Sequence, residues 1–264
     1  MHLQVLSSGS RGNATLVRAD EVNLLVDAGL TLKELEVRFL AARFAGRELH
    51  HIALSHGHLD HTRSAGALAR RCGATLHLCE RLMRNKAVER APRLATLHLG
   101  ATTHLAHPSQ PASGEPLHLT AAAIPHDAVP TVAFALDHAG RRAVILTDMG
   151  EPEPQIARYL SGAHVLVLEF NHDAELLRNG PYPPNLKRRV AGKGGHLSNE
   201  QARVVLGHLA GPNLHTLVLA HLSEKNNHPE LARAAAESRL AELGLSHVRV
   251  LIAAQDEVTT ALEV

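Results

Sequence analysis

Five short apolar runs in this chain each stop on a residue that can bind a metal ion or move a proton. They are LLVDAG at Asp27, IALSH at His56, VILTD at Asp148, VLVLE at Glu169 and LVLAH at His221. Runs of this length, alternating with segments of helical periodicity, read as the strands of an α/β fold. In sheets covered by helices, functional groups collect beyond the carboxyl ends of the strands. A strand also ends in a polar residue simply because it reaches solvent, so one such run carries little. Five that end in Asp, Glu or His are harder to dismiss.

The same patterning places strands near 2–6, 14–18 and 22–26, a helix near 31–45, a strand at 51–54 and a helix from about 60 to 71. Strands follow near 74–78, 96–99, 117–124, 131–137 and 142–147, with a Pro/Ser/Gly-rich loop or lid from His107 to Pro116. Beyond them come a strand at 164–169, a Pro-rich loop at 180–184 and a helix near 198–210, the last opened by Ser198 with Gln201 three residues on. A strand at 215–220, a helix at 229–243 and a strand pair near 247–262 complete the chain. No linker interrupts this series, so residues 1–264 are expected to form one domain.

Composition narrows the function. The 264 residues are 45% apolar, enough for a core, and their formal net charge is +1. Any contact with nucleic acid must therefore be local. Trp is absent and only four Phe and two Tyr are present, which disfavours binding by base stacking. No apolar stretch is long enough to cross a membrane. The start MHLQVLSSGSRGN lacks signal-peptide character, so Cys72 and Cys79 are expected as reduced thiols in a cytoplasmic protein. Histidine, at 21, is in large excess. That favours metal binding but also raises the chance of accidental patterns, and His50, His51, His104 and His107 are read as exposed or structural.

The strongest motif is His56-Gly57-His58-Leu59-Asp60-His61, an HxHxDH turn between a strand and a helix. Three imidazoles and a carboxylate suit divalent ions, and one turn cannot comfortably aim all four at one of them. The spacing gives His56 and His58 to one ion and turns Asp60 and His61 to a second.

With this turn the chain resembles the metallo-β-lactamase fold superfamily, whose other motifs follow in order. The resemblance implies a four-layer αββα sandwich of two mixed β-sheets with helices outside. It matches Asp27 to the carboxylate that stands behind a ligating histidine, and His126, in AIPHDA, to the third histidine of the first metal. It matches Asp148 to the carboxylate shared by both metals and His221 to the last ligand of the second. Such a pair of ions, zinc or manganese, clamps a phosphorus centre for in-line attack. The same centre also serves thioester and lactam hydrolysis.

Residues outside the ligand set must choose among substrates. Gly195-His196-Leu197-Ser198-Asn199 resembles a motif of the superfamily's tRNA-processing nucleases, in which the histidine meets the scissile phosphate or assists the leaving group. Lys187, Arg188 and Arg189 are either a solvated helix face or contacts for backbone phosphates. Glu169 and His172 are candidate partners that orient His196 or His221. Ser198, Asn199, Ser223 and Asn226 are candidate contacts for substrate oxygens, or turn chemistry. The turn Gly9–Asn13 is a tight hairpin, or a phosphate cradle with Arg11 facing nucleic acid.

Over nearly the whole chain these blocks, NLKRRV with GHLSN above all, resemble the YycJ/WalJ group of bacterial metallo-β-lactamase-fold proteins. Met149 and Phe170 depart from that pattern. The resemblance implies a DNA exonuclease acting on 5′-phosphorylated duplex ends, in DNA repair. In that role Asp60, Asp148 and His196 carry the chemistry, and DNA is held by its backbone with little sequence preference. A hydrolase of cyclic phosphodiesters or thioesters is the alternative; a non-catalytic, metal-bound regulatory partner is a further one.

Overall fold

A computed structural model describes residues 1–109 and 114–264. Part of the expected His107–Pro116 loop or lid, residues 110–113, lies outside the described residues.

In chain order, β1 spans His2–Ser7, β2 Ala14–Ala19, β3 Val22–Val26, α1 Leu32–Ala41, β4 His51–Ala53, α2 Leu59–Thr62, α3 Ala65–Cys72, β5 Thr75–Leu78, β6 Arg93–Thr96 and β7 Thr102–Leu105. Next are β8 Leu117–Ile124, β9 Thr131–His138, β10 Arg141–Leu146, α4 Ala157–Leu160, β11 Val165–Glu169, α5 Ala174–Asn179 and α6 Pro184–Val190. The last are α7 Asn199–Leu209, β12 Thr216–Ala220, α8 Pro229–Glu242, β13 Arg249–Ile252 and β14 Leu262–Glu263. The strands make two mixed sheets, ordered β14-β1-β2-β3-β4-β5-β6 and β13-β12-β11-β10-β9-β8-β7. The fold class is thus the expected one, α/β with two mixed sheets.

The chain divides into two compact units. One holds Met1–Ala121, Leu136–Arg141 and Ala254–Val264; the other holds Ala122–Ala135 and Arg142–Ala253.

In the first unit β1, β2 and β3 form an antiparallel meander, and β3 to β6 continue in parallel. Leu16, Leu25, Ile52 and Leu76 of these strands pack with Leu35 and Phe39 of α1 and Leu68 of α3. Each such side chain, fully buried, contributes roughly 1.5–3 kcal/mol. α1 opens on a reciprocal cap, Thr31 with Glu34, and α3 stops at Gly73 in a left-handed conformation. The expected helix over 60–71 is two helices, because Ser64 leaves the helical path. Its N–H donates to Ala28 O at 2.9 Å and its hydroxyl to Leu30 O at 2.6 Å.

In the second unit β10 to β13 run parallel. Every residue of β11 and β12 is buried, as near-continuous apolar runs in a covered parallel sheet require. Their leucines pack against Val205, Leu206 and Leu209 of α7 and Ala232, Ala236 and Leu240 of α8. α7 begins on the expected box, Ser198 with Gln201. The Pro-rich stretch expected as loop continues into α6, with Pro184 in the first turn, where its missing N–H costs nothing.

Candidate metal centre

The first unit arranges the HxHxDH turn at the ends of β3 and β4. Asp27 follows β3 at φ +62°, a left-handed conformation rare for a non-glycine residue. That bend turns its carboxylate back onto the neighbouring strand end. Oδ1 accepts the Ser55 N–H at 2.8 Å, and Oδ2 accepts His61 Nδ1–H at 2.8 Å. The Ser55 hydroxyl donates to the same carboxylate and sits 3.0 Å from His56 Nδ1, so it accepts from that ring. Both imidazoles are thereby fixed with Nδ1 protonated and Nε2 unprotonated, the form that binds an ion. The His56 ring lies 4.7 Å from that of His58 and 4.2 Å from that of His61. Asp60 Oδ2 stands 3.5 Å from His61 Nε2, and Asn13 Nδ2 reaches the same nitrogen at 3.0 Å. Gly29 is required here: a Cβ would fall 1.6 Å from Asp60 O.

The second unit repeats the device. Asp148 follows β10 at φ +62°, and His221 follows β12 at φ +55°. Asp148 Oδ1 lies 4.0 Å from His126 Nε2, 3.7 Å from His221 Nε2 and 3.6 Å from His196 Nδ1. His126 Nδ1–H donates to Gly195 O at 2.9 Å, again leaving Nε2 unprotonated. A Cβ on Gly150 would meet Lys193 O at 2.0 Å, so the loop after Asp148 and the loop before His196 touch backbone to backbone. Donor atoms of Asp148, Glu169, His196 and His221 all lie within 4.8 Å of one another.

Glu169 organises this group. It is fully buried at the end of β11. Oε1 accepts from His196 Nδ1 at 2.8 Å and faces His221 Nδ1 at 3.2 Å; Oε2 accepts the N–H groups of Met149 and Leu197. Burial alone would raise its pKa. The charge of His196 and hydrogen bonds from His196 and His221 outweigh burial and hold it at about 2. For His196 burial acts to lower the pKa, but the charge and hydrogen bond of Glu169 and the charge of Asp148 raise it above the usual histidine value. The His196 side chain keeps 22% of its surface exposed, so its Nε2 edge remains reachable.

Other expected residues fall elsewhere. His172 is buried beside the start of α7, and burial takes its pKa down to about 4. Among the described residues it joins no metal-holding group. Ser198 caps α7 through Gln201 N. Asn199 and Asn226, candidate contacts for substrate oxygens, are buried, 5% and 0% exposed. Asn199 exchanges two amide hydrogen bonds with Asn227, and Asn226 donates to Ser223 Oγ. Ser223 is thereby engaged in its own turn. Lys187 donates to Arg178 O, Arg189 pairs with Asp127, and Arg188 is exposed. The Gly9–Asn13 segment is the hairpin between β1 and β2; Asn13 closes it by accepting Gly9 N–H, and Arg11 pairs with Asp256. His51 is structural, bridging His77 Nε2 and Ala106 O. Sequence reasoning missed Ser55 and the Gly195 carbonyl; only Ser55, directly preceding His56, offered a local signal.

Comparison with known proteins agrees with this chemistry. The profile of the metallo-beta-lactamase superfamily matches residues 8–221, and the chain belongs to that superfamily. It is a metal-dependent hydrolase. Among individual relatives, it is 32% identical to a Bacillus anthracis protein named exodeoxyribonuclease YycJ, over 92% of this chain and 90% of that one. It is 30% identical to exodeoxyribonuclease WalJ of Streptococcus pneumoniae, over 91% and 88%. Among solved structures, the metallo-beta-lactamase fold protein YhfI of Bacillus subtilis shares the fold, with a TM-score of 0.70 and 17% identity over 98% and 99% of the two chains.

Proposed function

We propose that the chain, acting as one hydrolase domain, is a dinuclear-metal phosphodiesterase that degrades DNA from 5′-phosphorylated duplex ends in the cytoplasm, in the service of DNA repair. His56, His58 and His126 would hold one ion and Asp60, His61 and His221 the other, with Asp148 available to both. The donor chemistry fits. His56, His61 and His126 each have Nδ1 engaged by the protein, which leaves Nε2 as the unprotonated nitrogen, and with carboxylates they suit zinc or manganese. The pair of ions, when bound, polarises the phosphoryl oxygens and makes a water nucleophilic near neutral pH.

The observation that carries the reading is His196. A buried carboxylate grips its Nδ1 and raises its pKa, and its outer edge is open beside Asp148. Such a group steadies a phosphate and protonates a departing oxygen. Water adds to phosphorus, the P–O3′ bond breaks, and the His196 Nε2 proton passes to the 3′-oxygen. A 5′-mononucleotide leaves. Asp60 accepts the proton of the attacking water. Arg188 and Arg189 neutralise neighbouring phosphates without reading bases. The relatives named exodeoxyribonucleases, similar over nine-tenths of their lengths, support DNA as the substrate.

The test combines elemental analysis with digestion of end-labelled duplex DNA. Wild type should release mononucleotides and prefer 5′-phosphorylated ends to circles. His58→Ala should lose metal and activity, and His196→Ala should lose activity at full metal content. Wild type that holds two ions and leaves the DNA intact would overturn the proposal.

A further inference from the structure

The guanidinium of Arg189, though its side chain is 59% exposed, is held by a carboxylate. Its Nε donates to Asp127 Oδ2 at 2.8 Å across 62 residues of sequence. The other oxygen of that carboxylate, Oδ1, stands 3.5 Å from Nε2 of His126. With Nδ1 donating to Gly195 O, this is the unprotonated nitrogen, the one that would face an ion. One carboxylate therefore stands between a cation of α6 and a candidate ligand imidazole.

The backbone fixes both ends of this link. Asp127 N–H donates to Gly194 O at 3.0 Å, and His196 N–H donates to Val190 O at 2.9 Å. A Cβ on Gly195 would lie 2.1 Å from Val190 O, so the loop after α6 closes without slack. The neighbouring cations are placed differently: Lys187 is turned away to Arg178 O, and Arg188 stays exposed. An exposed ion pair adds little to folding, so stability does not account for this one.

The geometry points to Asp127 as a positioning residue: it holds the Arg189 guanidinium beside the ion-facing edge of His126, aimed at the substrate phosphate that docks there. This rests on the phosphodiesterase reading above. Arginine suits the task because its planar fork keeps Nε on the carboxylate while the terminal nitrogens reach a phosphate.

The experiment compares wild type, D127N, R189A and the double variant, each checked for two ions per chain. One arm reads kcat/KM on 5′-phosphorylated duplex. The other reads anisotropy of the same DNA with chelated protein, across a salt series. R189A should weaken binding and kcat/KM about tenfold, the worth of one charge-assisted hydrogen bond. It should also flatten the salt slope by about 0.9. D127N should weaken both about threefold, and the double variant should be no worse than R189A, since Asp127 acts through Arg189. A carboxylate that merely neutralised the arginine would give the opposite sign, with D127N binding DNA more tightly. That result overturns the proposal, as do losses that multiply in the double variant or ions lost from D127N. Wild type that keeps its ions and never cuts DNA overturns the phosphodiesterase reading instead.

Discussion

At the scale of single residues, Glu169 does what no ligand does: one buried carboxylate satisfies two imidazoles and two backbone N–H groups. Glu169→Gln keeps the shape but offers only one acceptor oxygen and no charge. We expect a fall in kcat of about 100-fold, the scale of losing a positioned proton donor, and a His196 pKa shifted down in an NMR titration. A full-rate variant would show that Glu169 only packs. A second residue-level expectation concerns His77. Burial, with a smaller contribution from the charge of His51, takes its pKa down to about 3. The folded form thus favours neutral His77. Its contribution is whole above the unfolded histidine value of about 6.5 and is lost as pH falls toward 3. His77→Gln retains a donor for His51 Nδ1 and should flatten part of that acid decline in Tm. An unchanged pH profile would rule His77 out as its source.

Among the elements, the turn after β10 shows why a motif can be legible while its support is not. Asp148 was readable because it ends an apolar run. Gly150 carries no comparable signal, yet it is where Lys193 O presses on the backbone. Gly150→Ala must separate the two loops, at about 1–3 kcal/mol for overpacking. The variant should melt lower by calorimetry and lose activity beyond its loss of stability, because His126 hangs on Gly195 O. Local spacing likewise revealed the HxHxDH turn and the Ser198 cap. It could not reveal the Gly195 carbonyl, since a backbone acceptor has no signature in the alphabet. The pairing of Asn199 with Asn227 was equally hidden, because an amide set to meet substrate and an amide paired with another look the same in one dimension. α6 was missed because its prolines, which open a helix here, usually mark loops.

For the whole molecule, the strand ends matter more than the overall charge. A net +1 gives no general attraction to DNA, so affinity must come from a few cations such as Arg189. Binding should then fall with salt by a log–log slope of only about one to three, far below that of a protein coated in lysines. A slope near ten would refute this. Removing the ions should also lower Tm, since they bind the folded chain and not the unfolded one, and adding zinc or manganese back should restore it.

Asp27, Asp148 and His221 share one backbone peculiarity, the left-handed twist at the strand's end. Such corners are costly for any residue but glycine, asparagine or aspartate, by about 1–3 kcal/mol when held against preference. A selection for heat resistance alone would therefore reward their decay. Asp148→Gly, freed of the corner's strain and of repulsion from Glu169, should emerge from such a screen run in chelator as a sturdier, silent protein, and durability would be a poor guide to competence in this molecule.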